Sequence, residues 1–376
     1  MLQADVLIIG AGIVGAACAR EFAQRGLSVA VVEQAAPGGG ATAASMGHLL
    51  VVDAEGASDE HEYRLSRRSM QKWAEWLAAS RDHGHTAEFQ RCGTLWLAAD
   101  DEEWQIARRK AEWLQSEGLA AELLDAAALR QAEPLLHHRL VGALRVPADG
   151  RVYPPKVVQQ WLDEARALLI RGEVQALHPG RVRLRDGRVV SAAMVVLCGG
   201  LASQRFLPEG CLVPKKGQLA ITQAREQTLR HQLVELGYLK KAHRVDEDTV
   251  SFNVQPRPAG QWLIGSSRQI GREDREIDLP MLRRMLACAA DYLPTLPQQS
   301  LLRCWSGIRP ASGDGQPLIG AHPRLRSTWV ACGHEGLGIT TSLATAELLA
   351  DLSLAQPAAL DARPYDPARF LAAQDR

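Results

Sequence analysis

The chain has 376 residues, enough for about two domains, because a single hydrophobic core rarely extends past ~250–300 residues. Hydrophobic residues make up 46% and charged residues 23%, a globular composition that excludes a fibre, a disordered tail or a low-complexity chain. The 43 basic and 43 acidic residues cancel, so no global field draws the chain to nucleic acid or to an anionic membrane, and recognition must come from local charge.

Taken in chain order, Asp5 to Ile9 reads as a buried strand, Ile13 to Gln24 as a helix and Ser28 to Val32 as a second strand, together one βαβ unit. The junction of the first strand and the helix carries Gly10-Ala11-Gly12-Ile13-Val14-Gly15, a G-x-G-x-x-G run. Its glycines allow a tight turn, a close approach of backbone to phosphate, and close packing of helix on strand, while the helix N-terminus holds a pyrophosphate. Glu33 ends the second strand, where a carboxylate accepts hydrogen bonds from a ribose 2′-hydroxyl and repels a 2′-phosphate, which disfavours NADP. The spacing alone leaves NAD and FAD open.

A Gly/Ala/Ser-rich loop spans Pro37 to Gly47, followed by a helix from Tyr63 to Arg81 with Leu65, Met70, Trp73 and Leu77 along one side. A strand at Leu95 to Ala98 and a helix at Glu102 to Glu117 come next, and Arg151 to Arg171 opens at an Asp-Gly turn and two prolines before a further helix. Strands at Val174 to Leu177, Arg181 to Leu184 and Met194 to Cys198 surround an Asp186-Gly187 hairpin and end at Gly199-Gly200, the second half of a nucleotide-binding sheet. From Pro214 to Trp305 the pattern is strand-rich, with Thr249 to Val254, Trp262 to Ile264 and a helix at Met281 to Asp291, and reads as a separate antiparallel domain. A strand at Trp329 to Cys332 and a helix at Leu337 to Leu352 return the chain to the first domain. The expected fold is α/β: a Rossmann-like dinucleotide domain with a second α+β domain built on an antiparallel sheet.

The seven cysteines, Cys18, Cys92, Cys198, Cys211, Cys288, Cys304 and Cys332, are scattered and form no C-x-x-C pair. That argues against a disulfide framework, a zinc site or an iron–sulfur cluster on this chain. The first residues run straight into a strand without a signal-type segment, so a cytoplasmic location is expected, with peripheral attachment to the inner membrane through partners as an alternative. No apolar run approaches the ~18 residues of a membrane span, because Arg20 and Glu21 break the longest candidate.

Four further segments carry a resemblance. They are Gly39-Gly40-Ala41-Thr42-Ala43-Ala44-Ser45-Met46-Gly47; the strand pair with Gly187, Val195 and Gly199-Gly200, preceded by Val174; Trp305-Ser306-Gly307-Ile308-Arg309-Pro310 with Asp314-Gly315-Gln316-Pro317 and Ile319-Gly320; and Gly333-His334-Glu335-Gly336-Leu337-Gly338-Ile339-Thr340. Together they resemble the D-amino-acid oxidase superfamily of FAD oxidoreductases, over most of the chain. Within it, Ser45-Met46-Gly47-His48-Leu49 and Leu263-Ile264-Gly265-Ser266-Ser267-Arg268-Gln269 look most like the FAD subunits of D-hydroxyproline dehydrogenase and of the opine oxidases, both of them assemblies of several chains.

The resemblance implies FAD, with contacts at Gly10, Gly12, Ile13, Val14, Gly15, Glu33, Gln34, Ala41, Thr42, Ser45, Met46, Gly47, His48, Val174, Gly200, Gly333, His334, Gly336, Leu337, Gly338, Ile339 and Thr340. It implies non-covalent FAD, since Ser306-Gly307-Ile308 offers no thiol where sarcosine oxidases attach flavin through cysteine. Cys198 and Cys304 are expected to be buried structural thiols. The implied FAD-binding domain comprises residues 1–85, 147–212 and 305–376, and the substrate-binding domain residues 86–146 and 213–304.

The implied reaction is hydride transfer from a substrate Cα–H to flavin N5, giving an imine, on a small amino acid or secondary amine such as D-hydroxyproline, D-proline, sarcosine, glycine or an opine. Arg309 is the candidate carboxylate clamp, because a guanidinium forms two parallel hydrogen bonds in a fixed fork. Phe252 stands where several members carry a carboxylate-binding tyrosine, and with Trp262 reads either as an apolar wall or as a core aromatic. His48 either lines the substrate pocket or packs in its loop, His334 acts either chemically or through its backbone, and no acid/base residue or metal site is assigned. Electrons are expected to pass to a partner subunit carrying an iron–sulfur cluster or to a respiratory chain. The alternatives are a self-sufficient oxidase that releases hydrogen peroxide and a flavin relay subunit without its own substrate.

Overall fold

The computed structural model of the protein describes residues 3–52, 59–237 and 248–374. The chain falls into two compact units, one of Met1–Glu88, Val152–Pro214 and Arg309–Arg376, the other of Phe89–Arg151 and Lys215–Ile308.

The first unit is built on a sheet in which Leu318–Ala321, Thr328–Cys332, Val189–Leu197, Gln3–Ile9, Val29–Glu33 and Leu168–Arg171 are neighbours in that order. Gln3–Ile9 pairs in parallel with Val29–Glu33 on one side and Val189–Leu197 on the other. Val6, Leu7, Ile8 and Val29 to Val32 are buried, the continuous apolar run expected of parallel strands covered on both faces. The fingerprint helix Ile13–Gln24 buries Ala16, Ala17, Cys18, Ala19 and Phe22, and packs against the C-terminal helix Gly338–Ser353. That second helix is buried on nearly all sides, consistent with its run of Ala, Leu, Thr and Ser.

Three local expectations change. The Gly/Ala/Ser-rich loop contains a one-turn helix, Gly40–Ala43. The segment expected to be helical through Arg171 stops as a helix at Glu164, turns at Arg166 (φ 47) and becomes the edge strand Leu168–Arg171. Only Ile170 of that strand is buried, and Leu168 and Leu169 are each 45% exposed, so no alternation marks it in the sequence. The helix expected to reach Arg81 ends at Ala79 and a second starts at Arg81, capped by Ser80. The first of these buries the expected Leu65 and Trp73 together with Ser66, Ser69 and Trp76, and leaves Met70 and Leu77 half-buried.

The second unit carries an eight-stranded sheet in the order Leu301–Ser312, Leu212–Thr222, Trp262–Ile270, Thr249–Pro256, Gln232–Glu235, Thr94–Ala98, Gly142–Val146 and Glu122–Asp125. Its described pairings are antiparallel except one: Gln232–Glu235 runs parallel to Thr94–Ala98. One face packs on the helix Leu279–Tyr292, burying Leu95, Leu97, Phe252, Val254, Trp262 and Ile264 with Met285 and Ala289. The opposite side carries a second apolar cluster, in which Trp96, Ala98, Leu144, Val146 and Val234 pack with Ile106 and Leu114, beside a buried polar network in which Gln255 Nε2 donates to Gln232 Oε1 at 2.7 Å and Gln232 Nε2 to Thr94 Oγ1 at 3.3 Å. Among the described residues, no helix is long and apolar enough to cross a membrane.

Candidate functional site

The strand Gln3–Ile9 lies where sheet order reverses, with the chain's next strand on one side and a much later strand on the other. In open parallel sheets ligands bind outside the carboxyl ends of the strands at such a point. Gly10 turns the chain there with φ +101, and a Cβ on it would lie 2.6 Å from the Cys198 carbonyl oxygen. A Cβ on Gly15 would lie 2.0 Å from the Gly10 oxygen, so the close approach of helix to strand requires glycine. Gly12 differs: its ordinary φ of −75° suits any residue, and among the described residues a Cβ would meet Thr42 Oγ1 alone within 4 Å, at 3.3 Å.

Gly12 therefore keeps a cradle open that the fold itself does not need. The helix has no side-chain N-cap at Gly12, and Thr42 Oγ1 accepts the Ile13 N–H at 3.1 Å. Other first-turn N–H groups have no intrahelical acceptor and carry the positive end of the dipole, an arrangement suited to a pyrophosphate. Glu33 is held at the rim of this turn, with Oε2 accepting from Ala11 N–H and Oε1 from Ala35 N–H, each at 2.8 Å. Gln34 beside it is exposed, and Val174 is buried at the start of the strand that follows Gly172, whose N–H donates to the Glu33 carbonyl at 3.0 Å. The residues present fit a dinucleotide: a helix N-terminus that Thr42 caps at the Ile13 N–H, a cradle without Cβ, and an anchored carboxylate.

The Gly40–Ala43 turn places Thr42 inward and Ala41 outward, and Ser45 Oγ donates to the Thr42 carbonyl at 2.7 Å. Gly47 (φ +84) requires glycine, because a Cβ would sit 2.2 Å from the Val152 carbonyl oxygen. Met46 is buried and His48 half-buried, and the His48 carbonyl accepts the Thr340 hydroxyl at 3.0 Å. The loop is thereby fastened to the C-terminal helix at a residue 292 positions away in sequence.

The Gly333–Leu337 turn leads into that helix. A Cβ on Gly338 would lie 3.9 Å from Val14 Cγ2, so the first turns of the two buried helices adjoin. Gly336 is exposed and a Cβ there would meet nothing within 4 Å. Ile339 and Thr340 are buried, and Trp73 Nε1 donates to the Thr340 carbonyl at 3.1 Å. Arg309 is half-buried on the strand Leu301–Ser312. Its strand is stitched to the turn by Glu335 N–H donating to Pro310 O at 3.0 Å, by the Ala311–His334 bridge, and by Ser312 N–H donating to Gly333 O at 3.3 Å. Gly200 (φ +58) lies beside Pro310, 3.9 Å from a Cβ position to the proline Cγ.

Two expectations need correction. Phe252 is fully buried in the second unit's core, stacked on Tyr292 with ring centroids 4.3 Å apart, and Trp262 belongs to the same core. Strand residues alternate faces, so both point into the core packed on the helix Leu279–Tyr292 and act as core aromatics rather than as an apolar wall. Cys198 is buried as expected and its thiol is held well above the usual range, first by its hydrogen bond to Cys18 and then by burial. Cys304 is only half-buried.

His334 is 7% exposed, its Nε2 3.0 Å from Thr345 Oγ1, and burial pushes its pKa down from 6.5 to about 4. It is therefore neutral near pH 7. Because the folded value lies below the unfolded one, its contribution to stability is intact above pH 6.5 and is lost as pH falls toward 4. By pH 5 that loss is about 2 kcal/mol. Denaturant unfolding at pH 7.5 and pH 5 is expected to show wild type losing about this much more than His334→Gln, and equal losses would contradict it.

Sequence reasoning missed Thr345 as the partner of His334, Thr42 as a helix cap, and Ser69 Oγ, which accepts the Ala344 N–H at 3.2 Å. No local pattern marks these, since each partner lies on a remote segment or inside a helix.

Over residues 5–352 the chain matches the family described as FAD dependent oxidoreductase, DAO. The chain belongs to that family. It is 28% identical to glycine oxidase of Geobacillus kaustophilus, covering 98% of this chain and 97% of the relative. It is 27% identical to hydrogen cyanide synthase subunit HcnC of Pseudomonas aeruginosa, covering 97% and 96%. The crystal structure of the Geobacillus kaustophilus glycine oxidase superposes with a TM-score of 0.84 at 26% identity, covering 98% of this chain and 99% of that one. The protein is thus an FAD-dependent oxidoreductase with the mixed α/β fold of the DAO family.

Proposed function

We propose that the protein is a dehydrogenase of small amino acids or secondary amines that bear a carboxylate, with D-hydroxyproline, D-proline, sarcosine, glycine and opines as the candidate substrates. The observation that supports this reading is the attachment of the Arg309 strand to the turn that opens the C-terminal helix, which brings the backbone next to Arg309, at Pro310 and Ala311, against Glu335 and His334. Bound FAD supplies a two-electron acceptor for hydride from the substrate carbon. Arg309 holds the carboxylate in a fixed fork and so orients the carbon to be oxidised. The first turn of Gly338–Ser353 directs its N–H groups and positive dipole end toward negative charge. His334 is buried and neutral, its Nε2 turned to Thr345, and His48 is proposed to line the pocket.

Electrons are proposed to leave for a partner subunit carrying an iron–sulfur cluster or for a respiratory chain, in the cytoplasm. Support comes from the similarity to a protein named as a subunit, and from seven free cysteines that hold no cluster-like grouping among the described residues. The similarity to glycine oxidase favours a second reading, an oxidase that reduces oxygen to hydrogen peroxide. FAD is proposed to be non-covalent.

Anaerobic mixing with each candidate substrate is expected to bleach the flavin band for at least one of them, followed in air by little peroxide. Stoichiometric peroxide would favour the oxidase. Bleaching by none would leave a relay subunit. Acid precipitation is expected to release the yellow colour to the supernatant, and colour in the pellet would contradict non-covalent binding.

A further inference from the structure

The C-terminal turn has two unlike sides. Its outer side, at Gly336, is exposed backbone, where an added Cβ would meet none of the described residues within 4 Å. Its inner side is the His334 imidazole, 7% exposed, which reaches past the start of the helix to Thr345, 0% exposed and two turns further along. Between the two lies Glu335 with φ 46, a left-handed conformation that a side-chain-bearing residue adopts only when its surroundings hold it there. Leu337 N–H donates back to the His334 carbonyl at 2.9 Å, and Glu335 N–H donates to Pro310 O at 3.0 Å.

We infer that His334 and Thr345 form an internal brace that fixes the exposed backbone of the Gly333–Leu337 turn against the C-terminal helix, making His334 a positioning residue for the flavin and not a catalytic one. The geometry leaves it little else to do. The imidazole points into the unit, its Cβ is 3.5 Å from the Cβ position of Gly338, and Gly338 in turn adjoins Val14 in the first turn of the fingerprint helix. Loosening the brace would let the turn, and the helix start it leads into, shift relative to the fingerprint helix. Preorganised N–H groups act on a flavin only while their geometry is held, so a small displacement alters the cofactor's affinity and potential together.

The same turn is bonded to Pro310 and Ala311, so the brace also bears on Arg309. That part of the inference rests on the proposed carboxylate clamp. The part concerning the flavin does not, and its readouts require no substrate.

The test uses the FAD-loaded full chain as wild type, His334→Ala, His334→Gln, Thr345→Val and the His334→Ala/Thr345→Val double variant. FAD dissociation constant, flavin midpoint potential and the shape of the visible absorption bands are measured for each. His334→Ala and Thr345→Val are each expected to weaken FAD binding about tenfold, the effect of losing a buried hydrogen bond, and to shift the potential in the same direction. The double variant is expected to be no worse than the worse single, because the two side chains act as one unit. His334→Gln, which presents a polar atom near the position of Nε2, is expected to recover FAD affinity to within about threefold of wild type. Additive effects, or variants that lose thermal stability while spectrum and potential stay at wild-type values, would overturn the inference. Thr345→Val keeps the volume of threonine and carries the test if His334→Ala does not fold. Unchanged flavin properties with lost turnover would fault the brace, whereas changed flavin properties without any amino-acid turnover would fault the proposed substrate class.

Discussion

Arg309→Ala is expected to lower kcat/KM by roughly two orders of magnitude or more while the purified protein keeps its full complement of FAD. The loss corresponds to about 3 kcal/mol of binding at the transition state, the size expected for a charge-assisted, two-point contact to a carboxylate in a partly desolvated site. Flavin content is expected to stay constant because the backbone of Pro310, Ala311 and Ser312, which the substitution leaves in place, ties this strand to the C-terminal turn. Arg309→Lys should recover little of the loss, since an ammonium is a point charge without the planar fork. Steady-state kinetics on whichever amine bleaches the flavin, together with the ratio of protein to flavin absorbance, decide the matter. Wild-type kinetics in the alanine variant would remove the clamp.

Gly12→Ala and Gly15→Ala are expected to lose FAD for different reasons, and the contrast separates binding from folding. At Gly12 the added methyl meets only the hydroxyl of Thr42 at 3.3 Å, and φ is ordinary, so the FAD-free protein should unfold within about 0.5 kcal/mol of wild type. The methyl fills the cradle where a pyrophosphate would rest, and FAD binding is expected to weaken about a hundredfold or more. At Gly15 the methyl would lie 2.0 Å from the Gly10 carbonyl oxygen, backbone that cannot swing away, so helix and strand must separate. That overpacking costs about 1–3 kcal/mol and lowers stability as well as FAD content. Fluorescence titration with FAD and denaturant unfolding of both variants give the comparison. Normal FAD affinity in Gly12→Ala would mean that the phosphates do not pass over this turn.

Much of the FAD site was legible because its determinants are local. The apolar strand, three glycines and the acid at Glu33 lie within one βαβ unit, in an order and spacing that a short stretch of chain displays by itself. The helix Ile13–Gln24 has the bounds its periodicity predicts. The strand Leu168–Arg171 was not legible, because an exposed edge strand with one buried residue has neither alternation nor an apolar run to announce it. Phe252 shows the limit more sharply. Its neighbourhood identifies a strand, but a shift of one residue exchanges the two faces, and only packing against Tyr292 determines which face is the core.

The amino-acid sequence alone displayed a dinucleotide fingerprint at Gly10, Gly12, Gly15 and Glu33, held in the order and spacing of neighbouring residues, and the resemblance of its longer motifs to a family implied FAD. The tertiary structure decided the rest: that Thr42 caps the fingerprint helix, that His48 and Thr340 meet across 292 positions, that His334 turns inward to Thr345, and that the strand of Arg309 is bonded to the turn at Glu335. Such pairings depend on which remote segments fold against one another. Burial and backbone hydrogen bonding fix that choice across the whole core at once, and no local spacing records it.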